Sequence, residues 1–268
     1  MRAASSHISA ISGTLKGRVS QIADTKLRSL RLLERSRRIR RVVEMGIRGI
    51  TVEPIPPHLD EGQSAILVSN YPSVSQTLRA VMKVGCRLPG EEPRLKAIAR
   101  KELVTEANVL LKALGVDRFI FPALKDQSGK YVLKPDTLKE VLAHLDGQGN
   151  VLWLSITGKT RGNGLLERDL RTGAALFSLK KGIPIIPMGL ITKEKGGKLR
   201  ITEVKFGEPI NPLKAKEGIS EFEMGDLLVD VSRLIMCEIA ALLPPGQRGD
   251  FEDAEEKLKE IESRLRRR

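Results

Sequence analysis

Two turns of this chain place polar side chains directly after an apolar, β-rich run. In "ILVSNYPSVSQ", the turn that follows Val68 offers Tyr71 and, five residues later, Gln76. In many enzymes such a turn carries a general base and a carboxylate that orients it. A phenol has a pKa near 10 and is mostly protonated at neutral pH, so it makes a poor base. The turn therefore has the layout of an active site without the usual side chains.

The second turn, "LWLSITGKTRGNG", carries Gly158, Lys159, Thr160 and Arg161 after its apolar run. Glycines let a backbone approach an anion closely, and Lys and Arg supply charge-assisted hydrogen bonds to it. The spacing matches neither a Walker loop nor a dinucleotide fingerprint. Two interpretations stay open: a phosphate-binding loop and a merely flexible turn.

The three histidines do not offer an obvious substitute base. His7 lies near the N-terminus, His58 lies in a proline-rich loop where we expect solvent exposure, and His144 falls on the expected surface of a helix. None has a carboxylate at a spacing that would reproduce a base and its orienting partner.

Alternating strand-like and helix-like segments predict an α/β fold over residues 49–251, with a mixed, mostly parallel sheet flanked by helices. The run "NVLWLSI" is apolar enough for burial on both faces of a sheet. "KPDTLKEVLAHLDGQG" has helical periodicity, with Asp136 as the expected N-cap and Gly147 as the stop. Ligands bind such sheets where strands end, so the turns after Val68, Ile120 and Ile156 are candidate sites.

Helical extensions are predicted at both ends of this domain. Residues 1–48 form a basic extension, in which eight of the sixteen positions from Lys26 to Arg41 are Lys or Arg. Its leucine edge fits either a helix lying on an anionic membrane or a solvated helix packed on the domain. Residues 252–268 are predicted to form a charged helix, acidic first and basic last, as the helix dipole favours.

The charge balance favours anionic partners. There are 46 Lys and Arg against 33 Asp and Glu, a formal charge of +13. Nucleic acid, an anionic membrane surface, a phosphorylated substrate or an acidic carrier protein would suit this charge. Nucleic acid is disfavoured, because aromatic residues make up only 3% and no recognition motif is present.

Cysteine usage and hydropathy give a cytoplasmic expectation. Cys86 and Cys237 lie far apart and form no CxxC pair, so neither a metal site nor a disulfide framework is expected. No signal-like segment and no run of about 18 apolar residues is evident, so any membrane association would be peripheral, at the cytoplasmic face.

Taken in order, four blocks resemble the glycerophospholipid acyltransferase family, which includes lysophosphatidic acid acyltransferases. The family's N-H-x4-D turn, G-x-x-F-I-x-R block, F-P-E-G-T-R-S loop and v-P-I-v-P-v strand correspond to segments within roughly Thr51 to Phe251. These segments are "SNYPSVSQ", "LGVDRFIFP", "LSITGKTRGNG" and "GIPIIPMGL".

The resemblance implies a role for each candidate residue. Tyr71 and Gln76 stand where the family has its histidine base and orienting aspartate, and Thr157 replaces the glutamate of the third block. Asn70 and Thr157 would line a groove. The substrate phosphate would be held by Gly158, Lys159, Thr160, Arg161 and Arg118.

Three functions follow as hypotheses. The first is an acyltransferase-like protein that binds a glycerophosphate-type lipid and an acyl-thioester, with catalysis absent or strongly altered. The second is an active acyltransferase that moves a fatty acyl group to lysophosphatidic acid or glycerol-3-phosphate. The third is a basic nucleic-acid-binding protein. Under the first two, no cofactor is bound, and acyl-CoA or an acyl-carrier-protein thioester is the co-substrate, with acyl carrier protein as a further partner.

Overall fold

The computed structural model describes residues 47, 49–89, 94–102, 119–127, 131–157, 164–211 and 221–267. The strands are β1 (Thr51–Val52), β2 (Ala65–Ser69), β3 (Leu95–Arg100), β4 (Ile120–Lys125), β5 (Tyr131–Val132), β6 (Val151–Ser155), β7 (Ile185–Lys195) and β8 (Lys198–Phe206). The helices are α1 (Pro57–Asp60), α2 (Val74–Arg87), α3 (Pro135–Asp146), α4 (Gly173–Lys181), α5 (Glu221–Leu242) and α6 (Ala254–Arg267). Short 3₁₀ turns, Pro245–Gln247 and Gly249–Phe251, connect α5 to α6.

These strands form one sheet in the order β1-β8-β7-β2-β6-β3-β4-β5. Neighbours run parallel except at the β7–β8 and β4–β5 pairs, which are antiparallel. The predicted α/β fold with a mixed, mostly parallel sheet flanked by helices is therefore confirmed. The carboxyl ends of β2, β6, β3 and β4 meet at one edge of the sheet, which we call the carboxyl edge.

The central strands are buried on both faces, as the apolar runs predict. Ala65–Val68 of β2 is fully buried, and Val151–Leu154 of β6 is nearly so. Helices α3, α4 and α5 contribute residues such as Val141, Phe177 and Ile235 to the same hydrophobic core. Burial of these aliphatic side chains is the main favourable contribution to folding in a chain with so few aromatic residues.

Helix α3 differs at its start from the sequence-based expectation. Asp136 is not the N-cap, because the helix begins two residues earlier than expected, with Pro135 as its first residue and Lys134 at the cap. Proline suits that position since it has no N–H to leave without a partner. Gly147 does follow the last helical residue, as predicted.

Two further segments depart from the prediction. The proline-rich loop expected around His58 contains the short helix α1. Strand β5 was not predicted; its two residues pair antiparallel with the end of β4. The predicted N-terminal extension, residues 1–48, lies outside the described residues except for Ile47.

Strands β7 and β8 form a long hairpin that extends past the carboxyl edge. The last register pair between β2 and β7 is Ser69 with Met188, yet β7 continues to Lys195. The connecting Gly196 and Gly197 both have positive φ, 61° and 68°, as a two-residue type I′ turn requires. The hairpin therefore projects roughly 20 Å beyond the end of β2, at about 3.3 Å per residue.

Among the helices of the described residues, none is both long and apolar enough to cross a membrane.

Candidate functional site

The carboxyl edge gathers residues from four strands. Ser69 ends β2 beside Ser155 at the end of β6, and these two are register partners. Arg100 ends β3, three residues beyond the Ala97–Trp153 pair, and Lys125 ends β4. Polar and cationic side chains thus lie at the place where a parallel sheet binds its ligands.

Asn70 is a structural residue at this edge. Its Nδ2 donates to the Leu190 carbonyl at 3.0 Å, and its Oδ1 accepts from the Leu190 N–H at 2.8 Å. The side-chain amide therefore continues the β2–β7 ladder beyond Ser69. Only 2% of Asn70 is exposed, so the predicted groove residue is buried and both ends of its amide are already bonded.

Ser69 and Trp153 hold the turn from the other side. The indole Nε1 of Trp153 donates to Ser69 Oγ at 3.1 Å, and Ser69 Oγ donates to the Asn70 carbonyl at 2.9 Å. Both residues are buried. Together with the Asn70–Leu190 pair, these bonds fix the backbone that presents Tyr71.

Tyr71 is half-buried and faces the strands on one side of β2. Its ring centroid lies 6.5 Å from that of Trp153, at an interplanar angle of 50°. Burial raises the pKa of the Tyr71 phenol; the Arg100 charge opposes this rise and Tyr131 adds to it. A phenol with an ordinary pKa is already protonated at neutral pH, and burial acts in the same direction. Tyr71 can donate a hydrogen bond there, but it cannot act as a general base.

Two cations share the ring of Tyr131 next to this phenol. The guanidinium carbon of Arg100 lies 5.1 Å from the Tyr131 ring centroid, and Lys125 Nζ lies 5.9 Å from it. Both distances fall within the range of a cation–π contact. Arg100, Lys125 and Tyr131 were not predicted as site residues. Strand β5 was not recognised, and a cation at the end of a strand belongs to no sequence motif. Their positions after predicted strands were the only available signal.

Gln76 belongs to different surroundings. It lies in the first turn of α2 and lines a cavity together with residues of β7 and β8, on the opposite side of β2 from Trp153 and Arg100. Within the described residues, no hydrogen bond joins Tyr71 to Gln76. Tyr71 and Gln76, predicted at the positions of the family's catalytic pair, therefore do not form a pair in this structure.

Thr157 marks the start of the predicted phosphate loop. Its N–H donates to Ser155 Oγ at 3.3 Å, and Ser155 Oγ donates back to the Thr157 carbonyl at 2.6 Å. It also pairs with Leu170 and is buried. Gly164, where the described chain resumes, lies close to Pro72 and Leu199. The remaining predicted phosphate-binding residues lie outside the described residues: Gly158, Lys159, Thr160, Arg161 and Arg118.

Two histidines lie at the opposite edge of the sheet. His58 Nε2 lies 3.1 Å from the Ser64 carbonyl, just before β2, and His144 Nε2 lies 3.2 Å from the carbonyl of Val151, which begins β6. His144 also packs edge-on against Phe121, with ring centroids 5.7 Å apart. Both are half-buried, which corrects the expected surface positions. The length of β2 or β6, about 13 Å, separates each from the carboxyl edge.

Comparison with known proteins gives no relative for this chain. No protein-family model, no curated protein and no solved structure matches it. The described part of the chain brings together no group of three or more His, Cys, Asp and Glu side chains that could hold a metal ion. The fold and the site therefore define an α/β protein in which the phenol of Tyr71 and the cations Arg100 and Lys125 lie at the carboxyl edge of the sheet.

Proposed function

We propose that this chain is an acyltransferase-like protein of phospholipid metabolism. It binds a glycerophosphate-type lipid and an acyl-thioester at the carboxyl edge and does not catalyse ordinary acyl transfer. Two observations support this proposal: the order of the four sequence blocks and the arrangement of residues around Tyr71. It makes the chain a lipid-binding relative of the enzymes it resembles.

The observation that carries the proposal is the state of Tyr71. This residue follows the end of β2, at the position matching the family's base; a phenol is protonated at neutral pH, and burial raises its pKa further. His58 and His144 lie at the other edge of the sheet and cannot take its place. Loss of a general base typically costs about 10² to 10⁴ in rate.

The cations at the edge support binding of a phosphate. Arg100 and Lys125 flank the Tyr131 ring, and the Tyr71 phenol can donate a hydrogen bond beside them. A guanidinium, an ammonium and a hydroxyl donor together suit a phosphomonoester. Thr157, which lies at this same edge, is the residue that precedes the predicted phosphate-binding residues 158–161 in the sequence.

Trp153 provides a direct binding assay, because it is the only tryptophan and its ring is close to Tyr71. We expect its fluorescence to change saturably when the full chain is titrated with lysophosphatidic acid. Lysophosphatidylcholine, in which choline masks the phosphate, is the matched ligand control and should give a weaker response. The Arg100→Gln variant should bind lysophosphatidic acid roughly tenfold more weakly, since one charge-assisted contact is lost. Equal responses to the two lipids would overturn the proposal.

A further inference from the structure

A second site lies on the other side of β2, in a cavity of about 720 Å³ between α2 and the β7–β8 hairpin. We call it the hairpin cleft. Gln76 and Arg79 of α2 form one wall, and residues 193–196, 198 and 200–202 of the hairpin form the opposite wall. Ile47, Gly49 and Ile50 contribute the remaining described lining. Neither Tyr71 nor its neighbours Arg100 and Tyr131 line this cleft.

The hairpin wall carries an unusual arrangement of charge. Lys193 is the register partner of Arg200, and Lys195 is the register partner of Lys198. Partners and residues two apart share one face of a hairpin, so four cations lie together. Like charges placed directly opposite each other destabilise a strand pair, and here this occurs at two successive pairs on one face.

In the described part of the chain, these four cations have no acidic side chain paired with them. Within the described residues, none of the four forms a salt bridge, although the other hairpin strand and α2 are both near. Glu194 is the one carboxylate among the described lining residues, and it stands opposite Leu199, out of register with all four cations. The described hairpin residues of the lining therefore carry four cations and one carboxylate.

Both walls are held in place. At the hairpin base, the Thr192 N–H donates to Gln247 Oε1 at 3.0 Å, and Gln247 Nε2 donates to the Thr192 carbonyl at 2.7 Å. On the other side, Lys83 Nζ donates to the Ile50 carbonyl at 2.6 Å and ties Ile50 to α2. A cleft with fixed walls loses less conformational entropy when a ligand binds.

From this geometry we infer that the hairpin cleft binds a phosphate-bearing ligand with at least two negative charges, at a site separate from the one around Tyr71. Lysine is an effective point-charge donor to phosphate, and two rows of cations suit a diphosphate or a phosphomonoester dianion. The bound anion would also relieve the repulsion between Lys195 and Lys198. This inference does not depend on the proposed acyltransferase-like function.

The first test uses inorganic pyrophosphate as the soluble probe and calorimetry of the full chain. The hairpin variant is Lys195→Gln with Lys198→Gln. The matched control is Lys139→Gln with Lys259→Gln, which removes the same charge from exposed positions on α3 and α6. We expect the hairpin variant to bind roughly tenfold more weakly and the control to bind like the wild type. Any change in Trp153 emission reports pyrophosphate bound near Tyr71, and it should be the same in the hairpin variant as in the wild type, because the cleft lies across β2 from this ring.

A second arm uses phosphatidylcholine vesicles with and without phosphatidic acid. If vesicles with phosphatidic acid capture the wild type but not the hairpin variant, the phosphate that the cleft binds belongs to a lipid headgroup. Pyrophosphate binding without such capture identifies a soluble ligand. Either result supports the site. Equal binding by the wild type and the hairpin variant would overturn it, as would binding to duplex DNA with no binding of pyrophosphate or phosphatidic acid.

Discussion

The side-chain amide of Asn70 satisfies both backbone polar groups of Leu190, accepting from its N–H at 2.8 Å and donating to its carbonyl at 3.0 Å. This pair ties the turn after β2 to β7 at the point where the register between these strands ends. The two sites lie on opposite sides of this pair. The chain presents Tyr71 toward β6 and β3, while β7 continues into the hairpin that faces Gln76.

Removing the Asn70 amide should destabilise the protein strongly. Asn70→Ala leaves both Leu190 groups without these partners in a buried site, at a cost of roughly 2–4 kcal/mol in the free energy of unfolding. Urea unfolding followed by Trp153 fluorescence measures this change. Asn150→Ala is the comparison, because its amide donates only one part-buried bond, to His144. A loss no larger than that of Asn150→Ala would contradict the structural role of Asn70.

The Tyr71 phenol should titrate above 10.0, because burial raises its pKa. The chain has two tyrosines, so Tyr131→Phe leaves Tyr71 as the only tyrosinate signal in an ultraviolet absorbance titration. Stability from a group with a raised folded pKa is present below its unfolded pKa and is lost as pH rises through the folded value. Alkaline destabilisation should therefore be smaller in Tyr71→Phe than in the wild type. A titration midpoint for Tyr71 at or below 10.0 would show that burial does not raise the pKa of this phenol.

Glu238 on α5 should destabilise the protein at neutral pH. Burial raises the pKa of its carboxyl group, and the charges of Glu262 and Glu208 raise it further. Its contribution to stability is present in acid and is lost as pH rises through the raised folded pKa. Glu238→Gln should therefore raise Tm by roughly 1–3 °C at about pH 7 and leave it almost unchanged at about pH 4.

The control for Glu238 is Glu256→Gln, an exposed position on α6. It should change Tm by less than Glu238→Gln at neutral pH. If both variants gave the same change at both pH values, net charge and not the surroundings of Glu238 would be the cause.

Reversing one hairpin charge should stabilise the fold. Lys195→Glu turns the like-charge pair with Lys198 into an opposite-charge pair, which is worth roughly 0.2–1 kcal/mol across two strands. Thermal unfolding at low salt should show a higher Tm, and added salt should reduce the gain. Lys139→Glu makes the same change in net charge on α3. A gain of equal size in Lys139→Glu would mean that the hairpin pair is not under strain.

Much of the fold was readable from hydrophobic pattern, because strands buried on both faces such as β6 leave long apolar runs. The short β5 and the true start of α3 were not, since two-residue pairing and proline at N1 depend on local geometry more than on composition. The projection of β7 beyond its apolar part was also missed: polar Thr192–Lys195 looks like a loop until β8 pairs with it.

The site was only partly predictable for a related reason. The sequence pointed to the end of β2 as a candidate site, and it suggested that Asn70 lines a groove and that Tyr71 and Gln76 act together. Asn70 is buried because its amide bonds to the backbone of Leu190, 120 residues away in the sequence. Tyr71 and Gln76 are separated because they face opposite sides of β2. Neither property leaves a local pattern. The cations Arg100 and Lys125 likewise become neighbours only through strand order.

The central claim is binding without ordinary acyl transfer, and a turnover assay tests it most directly. The purified full chain is incubated with lysophosphatidic acid and a labelled acyl-thioester, supplied as acyl-CoA and, separately, as acyl carrier protein. Trp153 fluorescence on the same samples reports whether the lipid is bound. We predict saturable binding with product formation no faster than in the protein-free control. Product formation above that control, abolished by Tyr71→Phe while lipid binding is retained, would contradict the account.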